Sequence, residues 1–293
     1  MKKAMLITVG TGRDRTDIAK AIVKTIRYHN PNRVVFLCTS KSNEETVCLI
    51  RNDLFGCGIQ MDNSIHDALN DVQKLFFEYL QRAEELIRDG FEPEDIVCDY
   101  TSGTKAMSAA LVGVAFDLET ANLSYIHGDR DQGGRVTPGT EQITCFSPVS
   151  LMQSRALTSA CDLFNHWHFA PAIDLLEKHL PYGGPQEIVE EMKFLRDLSQ
   201  GYYQWELFEL KSALDKLSLC KTNKTLRKKF GIDDAFGKNY SLLSKIAQTA
   251  DRQDKSNIYC PERLASLCAN ARRRYLEGRY EDGVARLYRA LEF

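Results

Sequence analysis

Across residues 1–148, short β-rich apolar runs alternate with longer helical patterns, and no other feature restricts the fold as strongly. "AMLITVG" (4–10), "RVVFLCTS" (33–40), "DIVCDYTS" (95–102) and "NLSYIHGD" (122–129) have the continuous Val/Ile/Leu character of strands covered on both faces. Helical patterns fall between them at about 14–29, 43–54, 68–89 and 104–118. This order predicts an α/β fold, a Rossmann-like doubly wound parallel sheet. A further strand, "QITCF" (142–146), follows the turn-rich "RDQGGRVTPGTE", so residues 122–148 read as a terminal antiparallel hairpin.

After Pro148 the strand signal stops. Residues 149–293 read as an all-α helical domain of amphipathic helices, broken at "PYGGPQ" (181–186) and "NIYCPE" (257–262). The chain thus divides at 1–148 and 149–293, as its length of 293 residues also suggests. A weak recurrence runs through the second part: "FAPAIDLLEKHL" (169–180), "FELKSALDKL" (208–217) and "YEDGVARLYRAL" (280–291) each set an aromatic ahead of a small residue and then leucines at helical spacing. That suits the second helix of a helical hairpin, and it equally suits three ordinary amphipathic helices. The final "ARLYRALEF" has no stop signal, so it reads as a helix that continues past Phe293.

Charge and cysteine content narrow the function classes. A formal net charge of -2 does not suit a protein whose main task is gripping duplex nucleic acid, although a local basic pocket is compatible with it. The nine cysteines are irregularly spaced, with no CxxC, which points to a reducing, cytoplasmic compartment. "MKKAMLITVGTG" has an apolar run too short for a signal peptide and reads as a first strand, and no stretch approaches the ~20 apolar residues of a membrane span.

Ligands of open parallel sheets bind where strands end and helices begin. Two such loops share one composition here: "VGTGRDRTD" (9–17) and "DYTSGTKAM" (99–107). Each is a Gly/Thr/Ser turn with a cation beside it, Arg13 or Lys105. Backbone N–H groups at a helix start attract anionic oxygens, glycine lets the backbone approach, and hydroxyls add donors. A "GTG" turn serves conformation as readily as a ligand, whereas "TSGTK" is richer in donors than a turn requires. Neither loop matches G-x-x-x-x-G-K-[ST] or G-x-G-x-x-G, so neither a triphosphatase loop nor a dinucleotide cofactor is expected. Asp99 reads as a cap of the second turn or as the group that orients Lys105, with magnesium binding as the other reading of its carboxylate.

Together, "VGTG" ending the first strand and "DYTSGTKAM" ending a later one resemble the CRISPR-associated Rossmann fold (CARF) domain of type III CRISPR accessory proteins. The resemblance covers residues 1–148, and "GRYEDGVARLYRALE" is similar to the variant family with a large helical region behind the sensor. It implies a homodimer that binds cyclic oligoadenylate, a tetra- or hexa-adenylate ring, across its twofold axis. Ring phosphates and riboses would meet Gly10, Thr11, Gly12 and Arg13 from the first loop and Ser102, Gly103, Thr104 and Lys105 from the later one. Thr39 and Ser40 would approach an adenine. Some members also cut the ring by attack of a ribose 2′-hydroxyl on phosphorus, without a metal, and Thr11, Ser102 and Lys105 are the candidate donors for that step. Sequence does not separate a cutter from a binder.

Departures from the family pattern matter equally. The Arg followed four to six residues later by His that marks the ribonuclease of many relatives is absent from these 293 residues. "HWH" (166–168) invites a zinc reading, but on a helix residues two apart diverge by about 200°, so a shared metal is not expected. "KTLRKKF" (224–230) and "RRR" (272–274) read as solvated helix faces, since acidic residues interleave. The rival to a sensor is a doubly wound enzyme acting on a mononucleotide or phosphosugar at the same loops. A ligand-responsive transcription factor ranks last, because the helices look too long for a helix-turn-helix.

Overall fold

The computed structural model of the chain describes residues 2–12, 15–66, 70–119, 121–129, 136–137, 139–250 and 261–292. Two compact units are present, Met1–Val149 and Ser150–Phe293.

In the first unit the elements run β1 (Ala4–Val9), α1 (Arg15–His29), β2 (Arg33–Cys38), α2 (Ser40–Ser42), a π-helical turn (Asn43–Val47), α3 (Cys48–Asp53), β3 (Gln60–Ile65), α4 (Val72–Arg88), β4 (Ile96–Asp99), α5 (Lys105–Asp117), β5 (Asn122–His127) and β6 (Gln142–Phe146). The sheet order is β3-β2-β1-β4-β5-β6, with β6 antiparallel to β5 and the other pairs parallel. This is the doubly wound sheet with a terminal hairpin expected from the alternation of apolar runs. All six residues of β1 are buried because both faces are covered. Leu6 joins Val35, Leu75, Tyr79, Leu111 and Val114 under α4 and α5. Its neighbours Met5 and Ile7 join Ile22, Ile26, Phe36 and Ile50 under α1 and α3. Each such side chain, fully removed from water, stabilises the fold by about 1.5–3 kcal/mol.

Two details differ from the sequence reading. β3 lacks an apolar run: "QMDNSI" pairs with β2 in register Arg33↔Gln60 to Cys38↔Ile65, yet only Ser64 in it is buried. As the sheet's edge, it needs no continuous apolar character. The helix expected from residue 43 also starts earlier, at Ser40, because Thr39 and Ser42 form a reciprocal cap: the Ser42 N–H donates to the Thr39 hydroxyl at 3.1 Å, and the Thr39 N–H to Ser42 Oγ at 2.9 Å.

The second unit contains α6 (Val149–Asn165), α7 (Phe169–His179), α8 (Gln186–Glu206), α9 (Leu210–Thr222), α10 (Lys224–Lys229), α11 (Asp233–Ala250), α12 (Pro261–Leu276) and α13 (Tyr280–Leu291). The weak sequence recurrence is a real structural repeat. Three hairpins, α6–α7, α8–α9 and α12–α13, turn at Trp167, Phe208 and Gly278, whose φ values are 63°, 62° and 75°. In each, the next N–H bonds back five residues: His168 to the Leu163 carbonyl, Glu209 to Gln204 and Arg279 to Arg274. Each of these hairpins thus carries a Schellman C-cap, which also closes α10 at Gly231, and of the three hairpins only the third places glycine in the left-handed seat. The small residue of the repeat is buried in every copy, as Ala172, Ala213 and Gly283. Leu287 corresponds to the fully buried Leu176 and Leu217 but is 50% exposed.

Close approach of α8 and α9 rests on Gly201, where an added Cβ would lie 2.5 Å from Leu217 Cδ2. Overpacking of about 1–3 kcal/mol there exceeds the roughly 1 kcal/mol that alanine gains in a helix. Gly201→Ala is expected to lower stability by about 1–2 kcal/mol in urea unfolding at unchanged m-value. A stabilised variant would mean that Leu217 repacks.

Candidate functional site

Strand order places the site. β1 and β4 are neighbours, and from them the chain winds away to opposite edges. At such a switch point the loops after the two strands diverge and leave a crevice. These are the two loops that the sequence singled out.

They are stitched together from within. The Gly10 N–H donates to Ser102 Oγ at 3.1 Å, and the Thr8 hydroxyl donates to the Ser102 carbonyl. Gly10 is glycine because of space: an added Cβ would meet Gly103 N at 3.0 Å and Gly103 Cα at 3.1 Å. Gly103 is glycine because of both conformation and space, with φ +94° and a would-be Cβ 3.1 Å from Thr8 Cβ. Thr104 caps α5 by accepting the Met107 N–H at 3.2 Å, so Lys105 opens the helix and is exposed. The π-helical turn adds a third tie, from the Thr46 hydroxyl to the Gly10 carbonyl at 3.1 Å.

Asp99, fully buried at the end of β4, holds the second loop from below. Its Oδ1 accepts the Thr101 N–H at 3.0 Å and its Oδ2 accepts the Thr25 hydroxyl at 2.8 Å. Of the readings offered for this residue, the structure matches the turn cap. Thr25 Oγ1 lies 3.3 Å from Ser124 Oγ, which in turn lies 3.0 Å from His29 Nε2, so a polar chain runs under the sheet from the loop to α1. Burial holds the His29 pKa below its usual 6.5, against the raising effect of Asp99. The unfolded chain therefore takes up this proton at higher pH than the folded one, and stability is expected to fall as pH drops through 6.5. His29→Gln should flatten that dependence in melting curves recorded from neutral to mildly acidic pH; identical slopes would show that His29 does not set it.

A cleft of about 450 Å³ opens over the loops, lined by Val9, Gly10, Thr11, Gly12, Thr39, Ser40, Lys41, Gly103, Thr104 and Met107. The ends of β1, β2 and β4 thus converge on one space. Ser102 lines a smaller cavity of about 210 Å³ beside it, with Gly10, Gly12, Ile18, Ala21, Ile22, Thr101 and Gly103. Lys105 follows Thr104 directly, while Arg13 lies outside the described residues. The sequence reading missed Lys41, although "TSK" (39–41) repeats the hydroxyl-hydroxyl-lysine composition of the later loop. Burial pushes the Cys38 thiol up to about 11 and the Cys98 thiol up to about 12, which keeps both protonated at neutral pH.

Other sequence features resolve differently. His166 and His168 do not share a helix: α6 ends at Asn165, and His168 precedes α7, so the pair flanks a turn residue. Among the described residues, no group of three or more His, Cys, Asp or Glu can hold a metal ion. The basic runs are largely committed within the helical unit. Arg227 pairs with Asp233 at 2.8 Å, Lys229 bridges Glu187 and Glu191, and Arg273 and Arg274 both pair with Glu206. No helix among the described residues is long and apolar enough to cross a membrane.

Fold and site together define a Rossmann-like unit with a switch-point cleft, joined to a unit of helical hairpins. Residues 153–246 match the family model of the Csm6 6H domain, which bears out the resemblance to type III CRISPR proteins that carry a helical region behind the sheet. Among solved structures, the chain is similar to Enterococcus italicus Csm6 bound to cyclic hexa-2′-fluoro-hexa-dAMP, at 18% identity and TM-score 0.49, over 79% of this chain and 63% of that one. It is similar also to a type III CRISPR defence DNA nuclease activated by cyclic oligoadenylate, at 15% identity and TM-score 0.36, over 68% of this chain and 34% of that one. The chain spans less than two thirds of the length of either. No curated protein matches it.

Proposed function

We propose that this chain is a sensor of a cyclic oligoadenylate second messenger in type III CRISPR defence. The N-terminal unit binds the ring across the cleft of a homodimer, and the helical unit carries the response. The observation that carries this reading is the convergence of three strand-end loops on one cleft, with Thr11, Thr39, Ser40 and Thr104 around it and Lys41 and Lys105 at two of the loops. The Csm6 6H match in residues 153–246 supports it from the other unit.

Each phosphodiester of the ring carries one negative charge, and the charges repeat with rotational symmetry. A twofold dimer presents each loop twice and so matches a ring of even size, whereas a single cleft meets only part of it. The start of α5 and the backbone N–H groups of the first loop offer hydrogen bonds that suit phosphate oxygens. The Ser102 hydroxyl, which accepts from Gly10, has its own proton to donate. Binding then relays by population shift, because a ring bridging two copies favours one dimer arrangement over others.

Thermal melting tests the reading. Cyclic tetra- or hexa-adenylate at a hundredfold excess over its Kd should stabilise the protein by about 2.7 kcal/mol, lost in Lys105→Ala, while linear oligoadenylate leaves the melting temperature unchanged. Stabilisation by no ring, but by a mononucleotide whose effect Lys105→Ala abolishes, would favour a mononucleotide enzyme at these loops. Chromatography of the recovered ligand separates a binder, which returns the ring intact, from a cutter, which returns a linear product.

A further inference from the structure

We propose that the helical unit holds a second pocket, independent of the cleft between the loops, built for a purine mononucleotide. A cavity of about 520 Å³ lies between the α6–α7 turn, α8, α11 and α12. That volume falls in the range of small-molecule sites. Its walls are aromatic: Phe164, Trp167, Phe169, Tyr202, Trp205 and Phe236 all face it. Phe169, Tyr202 and Trp205 form a ladder of nearly parallel rings, with 24° between the first two planes and 21° between the second two, at centroid distances of 5.8 and 6.0 Å. Stacking surfaces of this kind suit a flat heteroaromatic ring more than an aliphatic chain.

Polar groups in the same cavity narrow the ligand. The Asn239 carboxamide donates to the Tyr202 hydroxyl at 2.8 Å, which fixes its plane and leaves one N–H and the carbonyl oxygen for a base edge. A carboxamide of this kind pairs with the N6/N7 edge of adenine. The Trp205 indole is pinned by donating to Ser266 Oγ at 3.1 Å. Arg273 lines the wall with its side chain 28% exposed, beside Glu206, which also lines the cavity and pairs with it, so a ligand phosphate there would share the guanidinium with that carboxylate. Behind it, Arg273 and Arg274 pair with Glu206, Arg274 and Arg279 with Glu277, and Arg279 with Asp282, while Arg286 donates to the Glu206 backbone carbonyl; four guanidiniums against three carboxylates favour an anionic ligand over a neutral one.

The protein contains two tryptophans, Trp167 and Trp205, and both line this cavity, so tryptophan emission, excited selectively over tyrosine, arises from its walls. Titration of the full chain with AMP, ATP and GMP should give a saturable change in emission. Ala269→Phe, at an exposed α12 position on the cavity wall, should fill the space and weaken the effect by about tenfold or more while circular dichroism stays unchanged. Lys105→Ala should leave it intact, since that residue belongs to the other unit. No saturable change with any nucleotide, equal change in parent and Ala269→Phe proteins, or loss of the change in Lys105→Ala would each overturn the proposal.

Discussion

Lys105→Ala is expected to weaken binding of a cyclic oligoadenylate ring by about 1.5–3 kcal/mol for each charge-assisted hydrogen bond to phosphate that it removes, roughly 10- to 150-fold. In a twofold dimer the substitution removes two such bonds at once, so the effect in a ring titration should be larger than for a single-site ligand. Stability should change by no more than about 0.5 kcal/mol, because the side chain is exposed at the first position of α5. Lys105→Arg, which retains the charge, should recover part of the affinity. Calorimetric titration and thermal melting of the same preparations separate the two effects. Unchanged affinity in Lys105→Ala would mean that the ring sits elsewhere.

Gly103→Ala should damage both stability and binding. The position holds φ +94°, and an added Cβ would lie 3.1 Å from Cβ of the fully buried Thr8. Holding a non-glycine residue in such a conformation costs about 1–3 kcal/mol. The alternative is for the loop to move, and the loop carries Ser102 and Thr104. Urea unfolding should show the loss of stability, and ring binding should fall beyond it, because Gly10, Ser102 and Thr8 are tied in one hydrogen-bond set. A variant of parental stability and affinity would show that the loop adapts freely and that the stitching does not position the site.

These two residues also show how far the site was legible. "TSGTK" announced a phosphate-facing turn because glycine, hydroxyls and a lysine at a helix start share one physical purpose. That Gly10 and Gly103 touch could not be read, since 93 positions separate them and only the β1–β4 adjacency brings them together. The same holds for the chain from Asp99 through Thr25 and Ser124 to His29, whose members are brought together only by the packing of α1 against β4 and β5. Continuous apolar runs revealed β1, β2, β4 and β5 because both faces of those strands are covered, and β3 went unseen because an edge strand tolerates "QMDNSI". In the helical unit the recurrence was visible but ambiguous. Its meaning lies in backbone conformation, the left-handed seat at Trp167, Phe208 and Gly278, and two of these three residues are types that do not advertise it.

Calorimetric titration with cyclic tri-, tetra- and hexa-adenylate tests the central claim most directly, because stoichiometry separates a shared cleft from a site within one chain. The account predicts tight binding of a tetra- or hexa-adenylate ring at one ring per two chains, abolished or strongly weakened in Lys105→Ala. Absence of heat with every ring, together with binding of a mononucleotide at one per chain that Lys105→Ala abolishes, would contradict it.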